Sequence, residues 1–474
     1  MLFTSRKRNN TRNPDEHLTV QSLGQELERL TRWYIDVKGT AAKLMEQYVY
    51  EKFLGCSLAH AYKYEQGYHG PLLKNYAVNL IPYIKSRYTD RCEDVIDVMN
   101  SLDPAILSAA GSSLFSRHKH SIGFIRSCFR DPVNGTVYEY PSAGATFFSD
   151  QDGLPMIINM NESLSYSHMT LHCDFNFELY TGPQGGKEQV FRFIDGLESY
   201  ARDNCIFRGG AISQKGDIIN LSHQDWDSIK LPRHVRNQVS FHIVDFLDTI
   251  REFRKYNVRT SRGIILTGKP GNGKTMLGRI LATNLQVPFI WLTAQDMAPM
   301  NNDLLHNVYS TANRIGPAII FIEDADIFMQ KRNMNMSPFT LSELLNRIDG
   351  LEENDGIITI ITANSPHLLD EAVKDRPRRF DVIIELPNPG FQERRDIITE
   401  KLSPWLPPGD AELVNEIASK MNGYSGAHVC ELCERMVLSM IYRKEEQLNN
   451  WIIQEELSRF GFPVPGRVSV NPGS

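Results

Sequence analysis

Residues 263–275 read GIILTGKPGNGKT, and this stretch decides the fold of the region around it. Gly263–Thr267 is a short apolar run rich in isoleucine, the pattern of a buried parallel strand. Gly268–Thr275 matches the phosphate-loop (Walker A) pattern G-x-x-x-x-G-K-[ST], and the run MLGRILATNL after it predicts a helix. A strand, a loop and a helix in this order are the context that makes the motif specific.

The loop predicts a binding site for the phosphates of a nucleotide. Its glycines let successive backbone N–H groups converge on phosphate oxygens, at the positive end of the following helix. We expect Lys274 to reach the β- and γ-phosphates and the Thr275 hydroxyl to ligate Mg²⁺. The residues predicted to bind nucleotide in this segment are Gly268, Lys269, Pro270, Gly271, Asn272, Gly273, Lys274, Thr275 and Met276.

A phosphate site of this kind needs an acidic partner at the end of a neighbouring strand. The apolar run Ala318–Ile322, followed by Glu323 and Asp324, meets that requirement. We expect one carboxylate to take part in the Mg²⁺ shell and the other to polarise the water that attacks the γ-phosphate. A third apolar run, 356–362, leads to Asn364, which is either a turn residue or a hydrogen-bonding sensor of the γ-phosphate.

Three arginines, Arg376, Arg378 and Arg379, precede a fourth apolar run from Val382 to Leu386. Clustered arginines beside a strand usually form a solvated surface. In an oligomeric ATPase, the same position serves an arginine finger that reaches the γ-phosphate of a neighbouring subunit. The residues alone leave both interpretations open.

From about Leu231 to Lys444, the segments follow one another in the order and spacing of a known family. The region resembles the AAA+ ATPases, in the AAA branch of protein unfoldases and remodellers. The resemblance implies a P-loop NTPase α/β fold, with five parallel strands in a doubly wound core and a C-terminal helical lid. It rests on RGIILTGKPGNGKT, AIIFIEDAD, TLSELLNRIDGL, ITANSPHLLDEAVKDRPRRFD and GYSGAHVCELCERM.

The resemblance also implies what the central side chains do. It implies ATP and Mg²⁺ as ligands, with Thr275 and Glu323 at the metal. Asp324 matches the position of the catalytic acid, and Asn364 that of the sensor.

The resemblance also has implications for the oligomeric assembly and for the adenine-binding residues. Arg376 and Arg379 match the fingers that act in trans, so the active form would be a homo-oligomeric ring, most often a hexamer. The lid residues that the resemblance places near the adenine and ribose are Ile397, Gly426 and Ala427.

The acid pair departs from the usual order of this branch. Most members have Asp then Glu, whereas this chain has Glu323 then Asp324. The inverted order, like the string TLSELLNRIDGL, is similar to the mitochondrial inner-membrane ATPase that helps to assemble respiratory complex III. That relative has a transmembrane segment, whereas no run here approaches the ~18 apolar residues of a membrane-spanning helix.

Two loops also depart from the pattern of the family. Asn272 stands where the loop of the family usually has Thr, Ser or Cys, which we expect to be a mild change because the backbone binds the phosphates there. The stretch QDMAPMNNDLL lacks the aromatic–apolar–Gly loop with which threading unfoldases grip a chain. Threading of a substrate through a central pore therefore stays open.

Composition and charge narrow the class of partner. The chain has 474 residues, 41% of them hydrophobic, and a formal net charge of −6, which suits two or three domains with buried cores. Residues 131–186 contain no Lys or Arg, and an acid-only segment repels a phosphate backbone. The composition therefore argues against nucleic acid as the main partner.

Seven scattered cysteines favour the cytoplasm or another reducing, soluble compartment over a secreted disulfide framework. The pair Cys430 and Cys433 is expected to consist of buried thiols on a helix. Runs such as TVYEY and MIINM predict strands in the first half, and FRGGAISQKGDIINL predicts a hairpin. The predicted divisions are a disordered basic tail (1–17, with organelle targeting as the alternative), a mainly helical region (18–130), a small β-containing region (131–225), the nucleotide-binding core (226–390), the lid (391–446) and a C-terminal helix and tail (447–474).

Three functions follow from these observations. The first is an ATP-hydrolysing ring that remodels protein substrates or complexes, which the α+β N-terminal region selects. The second is a nucleotide-gated assembly module with little turnover, which the inverted acid pair would favour. A DNA-associated ATPase is the third.

Overall fold

Among the described residues, two sheets organise the fold, one built from strands between residues 62 and 181 and the other from strands between residues 211 and 385. The computed structural model describes residues 47, 50, 54–88, 93–94, 125–130, 135–167, 170–214, 216–293, 296, 303–325, 355–364, 380, 382–407 and 411–460. The predicted basic tail, the arginine cluster, the string TLSELLNRIDGL and most of the stretch QDMAPMNNDLL lie outside these residues.

The first sheet is antiparallel, and two helices pack against it. Its strands run in the order β1-β6-β5-β4-β2, and β3 pairs with β4. We call this sheet and its two helices the N-terminal unit. Its elements are β1 (Tyr62–His69), α1 (Gly70–Arg87), β2 (Glu93–Asp94), β3 (Ile125–Arg130), β4 (Val137–Ser149), β5 (Pro155–Ser167), β6 (Thr170–Thr181) and α2 (Gly186–Asp203).

The predicted boundary at residue 130 does not separate two structural units. It falls between β3 and β4, which form one antiparallel hairpin with Arg130 opposite Val137. Strand β1 and helix α1, within the region expected to be mainly helical, belong to the same unit because β1 pairs with β6 along its whole length. The strands expected in 131–225 are present as β4 to β6.

Helices α1 and α2 cross closely at Gly196. The Tyr83 hydroxyl donates a hydrogen bond to the Phe193 carbonyl at 3.2 Å. A Cβ atom added to Gly196 would lie 2.0 Å from the Tyr83 hydroxyl oxygen. The Tyr83 ring also packs against the rings of Tyr88, Phe193 and Tyr200, with centroids 5.3 to 5.6 Å apart, so moving it aside disturbs these contacts.

Gly196→Ala is therefore expected to destabilise the N-terminal unit by about 1–3 kcal/mol through overpacking. Thermal unfolding of the full chain measures the effect. Gly210→Ala is the matched control, since a Cβ there meets nothing within 4 Å. Equal melting temperatures for the two variants would contradict the close helix crossing.

The second sheet has seven strands in the order β13-β9-β12-β11-β10-β7-β8. All neighbours are parallel except β7 and β8, which form the predicted hairpin. Strands β9 to β12 are almost entirely buried, as parallel strands with helices on both faces are. The strands are β7 (Ala211–Ile212), β8 (Ile218–Ile219), β9 (Arg262–Thr267), β10 (Phe289–Leu292), β11 (Ala318–Ile322), β12 (Ile357–Ala363) and β13 (Val382–Glu385).

The five predicted parallel strands are thus present, and the sheet is larger than predicted. Strand β7 pairs in parallel with β10, so the sheet begins before the predicted boundary at 225/226. The helices around it are α3 (Arg233–Val239), which continues through a π turn at Ser240–Val244, α4 (Asp245–Lys255), α5 (Lys274–Asn284) and α6 (Asp303–Ile315).

Helix α6 joins the two units. It packs against both α1 and α2, and one continuous apolar core runs from the N-terminal unit onto one face of the second sheet. On its other side, the Tyr309 hydroxyl lies 2.7 Å from the Thr359 hydroxyl of β12, with both side chains buried. The N-terminal unit is therefore connected through α6 to the strand that leads to Asn364.

Between residues 391 and 460, four described helices form the lid after the second sheet. Their apolar faces share one core, which includes Ile452 and Ile453. The last helix begins with a side-chain cap, because Asn449 Oδ1 accepts the Ile452 N–H at 2.9 Å. The lid thus extends past the predicted limit of 446. Its helices are α7 (Phe391–Leu402), α8 (Ala411–Lys420), α9 (Gly426–Tyr442) and α10 (Asn450–Arg459).

The CxxC pair lies on α9, as predicted, but of its two thiols Cys433 is buried and Cys430 only partly so. Cys433 is 1% exposed, and burial raises the pKa of its thiol to about 12. Burial also raises the pKa of Cys430. Within the described ranges, no three His, Cys, Asp or Glu side chains cluster as metal ligands would, and no helix is long and apolar enough to cross a bilayer.

Candidate functional site

The phosphate loop leaves the end of β9 and enters α5 at Lys274. Two glycines permit this path. Gly268 has φ 153°, and a Cβ there would lie 2.4 Å from the Leu386 carbonyl oxygen. Gly273 has φ 89° and would meet the Ile229 side chain at 2.8 Å. The backbone can therefore curl tightly next to β13 only because these positions carry no side chain.

Lys274 lies inside the curl of the loop. Its ammonium group donates to the Gly268 carbonyl at 2.7 Å and to Asn364 Oδ1 at 2.8 Å. The side chain is 7% exposed. The loop lysine and the residue after β12 are thus in direct contact, although 90 residues separate them in sequence.

Glu323 follows β11, and donors contact both of its carboxylate oxygens. The Thr275 hydroxyl donates to Oε1. The indole Nε1–H of Trp291 donates to Oε2 at 3.2 Å. Trp291 is not among the residues predicted from the sequence. The signal for it is an indole inside a buried strand, because such an N–H group requires an acceptor.

Asp324 has an unusual backbone. Its φ is 53°, the left-handed region, which Asp tolerates better than most residues. Its N–H group donates to the Thr362 hydroxyl at 2.9 Å, and the next N–H group, that of Ala325, donates to the Thr362 carbonyl at 2.9 Å. Thr362, which is also not among the residues predicted from the sequence, therefore fixes the turn that carries Asp324.

A cavity of about 820 Å³ opens between the phosphate loop, the segment 224–231 and the lid. Its size lies within the range of roughly 300–1,000 Å³ typical of small-molecule sites. Of the predicted residues, Gly268, Lys269 and Glu323 lie outside its lining, and Arg376 and Arg379 outside the described residues. The predicted residues that line it are Pro270, Gly271, Asn272, Gly273, Lys274, Thr275, Met276, Asp324, Asn364, Ile397, Gly426 and Ala427.

Two further residues form the opposite wall of the cavity. Ile229, 5% exposed, packs against the phosphate loop. Cys430, expected to be a buried thiol, is only partly buried and faces the cavity from α9. Lys230 forms an ion pair with Glu400 of α7 at 2.7 Å, which ties the segment before α3 to the lid. An apolar patch and a polar rim of this kind suit a planar base with a polar edge.

The lid also contacts the phosphate loop itself. The Ala427 N–H donates to the Gly271 carbonyl at 2.9 Å. The Asn272 amide donates to the Leu386 carbonyl at 3.1 Å and to Asn388 Oδ1 at 2.9 Å, and Asn388 in turn donates to the Gly423 carbonyl at 2.6 Å. The side chain at position 272, expected to matter little, thus links the loop to the lid turn.

Residues 264–388 match the model of a known family, the ATPase family associated with various cellular activities (AAA). This part of the chain is an AAA ATPase domain. The predicted P-loop α/β fold, the ATPase class and the ligands ATP and Mg²⁺ are confirmed for the domain. Thr275 and Glu323 fit the metal, since a hydroxyl and a carboxylate are the hard oxygen donors that Mg²⁺ prefers.

The AAA domain has many curated relatives named as ATP-dependent zinc metalloproteases. FtsH 2 of Thermoanaerobacter sp. (strain X514) is 29% identical over 238 residues, which are 48% of this chain and 46% of the relative. FtsH 2 of Salinibacter ruber (strain M8) is 32% identical over 206 residues, 41% of this chain and 30% of the relative. FTSH 9, chloroplastic/mitochondrial, of Oryza sativa subsp. japonica is 32% identical over 196 residues, which are 40% of this chain and 25% of the relative.

The chain spans about a quarter to a half of the length of these relatives. The similarity to the complex III assembly ATPase stays a prediction. The 474 residues contain no H-E-x-x-H, the helix motif with which many zinc proteases bind their metal.

Proposed function

We propose that this AAA chain hydrolyses ATP to remodel protein substrates or complexes, works as a homo-oligomeric ring and selects its substrate through the N-terminal unit. One observation carries the proposal. The loop after β9, the acid pair after β11 and the residue after β12 meet at one edge of the sheet. They are joined by the contact of Lys274 with Asn364 and of Thr275 with Glu323.

The side chains at this edge of the sheet have different roles in ATP hydrolysis. The loop N–H groups and Lys274 bind the phosphates, and Asn364 positions Lys274. Thr275 and Glu323 would coordinate Mg²⁺, which neutralises phosphate charge when bound. Asp324, in the cavity wall, accepts a proton from the attacking water. Arg376 and Arg379, which lie outside the described residues, are proposed to act on the neighbouring subunit's site.

Three observations support protein as the substrate. The relatives are named as proteases that depend on ATP. Residues 131–186, which include β4 to β6, contain acids and no Lys or Arg, so they would repel nucleic acid. The N-terminal unit packs on α6, whose Tyr309 contacts β12, and this connection supports coupling between substrate binding and nucleotide state.

A second candidate is a nucleotide-gated assembly module with little turnover. The inverted acid pair favours it, because Asp324 is one methylene shorter than the usual Glu and sits on a left-handed backbone. A carboxylate with less reach holds a water less closely. Both candidates bind ATP, so turnover distinguishes them.

The test is phosphate release by the purified full chain with Mg²⁺ and ATP, combined with its mass in solution with ATP, with ADP and without nucleotide. We expect turnover well above that of Asp324→Asn and a ring with ATP. Assembly with ATP but no turnover would favour the second candidate, and a monomer in all states would exclude the ring. DNA binding that falls steeply with salt would favour a nucleic-acid substrate instead.

A further inference from the structure

Trp291 stands out because it lies next to the acid pair but is not itself a phosphate or metal ligand. It is the third residue of β10 and is 7% exposed. Its only polar side-chain atom, Nε1, donates to Glu323 Oε2 at 3.2 Å. This bond joins residues that are 32 positions apart.

The indole has a fixed position. In the parallel pairing of β10 with β11, Trp291 lies opposite Phe321, and their ring centroids are 4.6 Å apart. Phe289 packs at 5.7 Å from Trp291. Two residues after Phe321, the backbone N–H of Glu323 donates to the Leu292 carbonyl at 2.9 Å. Strand pairing therefore sets the distance between the indole N–H and the carboxylate.

A glutamate at this position needs such a donor. Its side chain has more rotatable bonds than the aspartate that most of this branch carries there, so its carboxylate can swing away from the phosphate loop. With Trp291 on Oε2, the other oxygen faces the Thr275 hydroxyl. The indole thus selects the rotamer in which Glu323 and Thr275 lie side by side.

We infer that Trp291 is a positioning residue that aims the Glu323 carboxylate at the metal site and so makes the Glu-first acid pair workable. The inference rests on the proposed Mg²⁺–ATP site. Donors that orient metal-binding carboxylates typically change metal affinity by about 10–100-fold when removed. A tryptophan that only fills the core would have no such effect.

The experiment measures binding of a fluorescent ADP analogue to the full chain over a range of Mg²⁺ concentrations. Trp291→Phe removes the N–H group and keeps an aromatic ring. We expect its half-saturating Mg²⁺ concentration to rise about tenfold or more, with metal-free nucleotide binding unchanged. Phe321→Leu, which keeps the N–H group but loses the ring stack, should lower the melting temperature and leave the Mg²⁺ midpoint within about threefold.

A second readout is the tryptophan fluorescence itself. Addition of Mg²⁺ to the nucleotide-bound wild type should change it, and Trp291→Phe should lose that change. If Trp291→Phe fails to fold, benzothienylalanine incorporated at position 291 keeps the shape of the indole without its N–H group. It should show the same Mg²⁺ shift.

Three results would overturn the inference: a wild-type Mg²⁺ midpoint in Trp291→Phe, a wild-type midpoint in the benzothienyl variant, or an equal shift in Phe321→Leu. If the wild type binds no nucleotide, the proposed function fails as a whole. If the wild type binds nucleotide with Mg²⁺ and the variants match it, only the role of Trp291 fails.

Discussion

Lys274→Ala is expected to remove ATP hydrolysis and to weaken nucleotide binding at least about 100-fold. The buried ammonium is held by the Gly268 carbonyl and by Asn364, so it is already placed where phosphates meet the loop. Charge-assisted hydrogen bonds contribute roughly 1.5–3 kcal/mol each. The loss of two such bonds from Lys274 to phosphate oxygens therefore corresponds to a loss of affinity of about 100-fold or more. Binding of a fluorescent ATP analogue and phosphate release measure the two effects separately.

Lys255→Ala is the matched control for this prediction. Lys255, the last residue of α4, is exposed, pairs with Glu252 at 2.7 Å and does not line the cavity. An exposed pair of this kind contributes little, so both binding and turnover should match the wild type. Wild-type affinity for ATP in Lys274→Ala would contradict the assignment of the phosphate site.

The parts of the site that could be predicted are those formed by residues adjacent in the sequence. A β-branched run, a glycine-rich loop and a helix with its lysine at the first position form one local unit, and β9, the loop and α5 have that arrangement. The acid pair and Asn364 were predicted for a related reason. Each follows a buried strand, and the carboxyl ends of parallel strands meet at one edge.

The supporting contacts could not be predicted because they depend on which strands become neighbours. Trp291 reaches Glu323 across 32 residues, Thr362 reaches Asp324 across 38, and Asn272 reaches Asn388 across 116. None of these pairs has a local pattern. The strand order decides them, and only a buried polar atom in need of a partner signals them in advance.

Pairing between strands distant in sequence also explains why the predicted domain limits differ from those in the structure. The turn predicts the hairpin of β7 and β8, but its pairing with β10 depends on a strand 78 positions further along, from Ala211 to Phe289. In the first half, the alternating strands β4 to β6 were recognisable. The addition of β1 at the edge was not, since β1 pairs with a strand more than 100 residues away.

Asp324→Asn is expected to lower turnover by about 100–1,000-fold while ATP binding and assembly remain. A positioned general base contributes about 10²–10⁴-fold, and the amide has nearly the shape of the carboxylate but cannot accept the proton. Asn tolerates the left-handed backbone at this position as well as Asp does, so the turn fixed by Thr362 should persist. The variant should therefore retain substrate as a trap, which a pull-down with mass spectrometry would identify.

The order of the acid pair provides a sharper test of the same assignment. Glu323→Gln should raise the Mg²⁺ requirement, whereas Asp324→Asn should leave it unchanged, because Glu323 contacts Thr275 and Asp324 lines the cavity. Reversing the pair, with Glu323→Asp and Asp324→Glu together, restores the usual order but shortens the side chain that reaches both Thr275 and Trp291. We therefore expect the reversed pair to hydrolyse ATP more slowly than the wild type. A faster reversed pair would show that the inversion weakens catalysis and would favour the assembly module with little turnover.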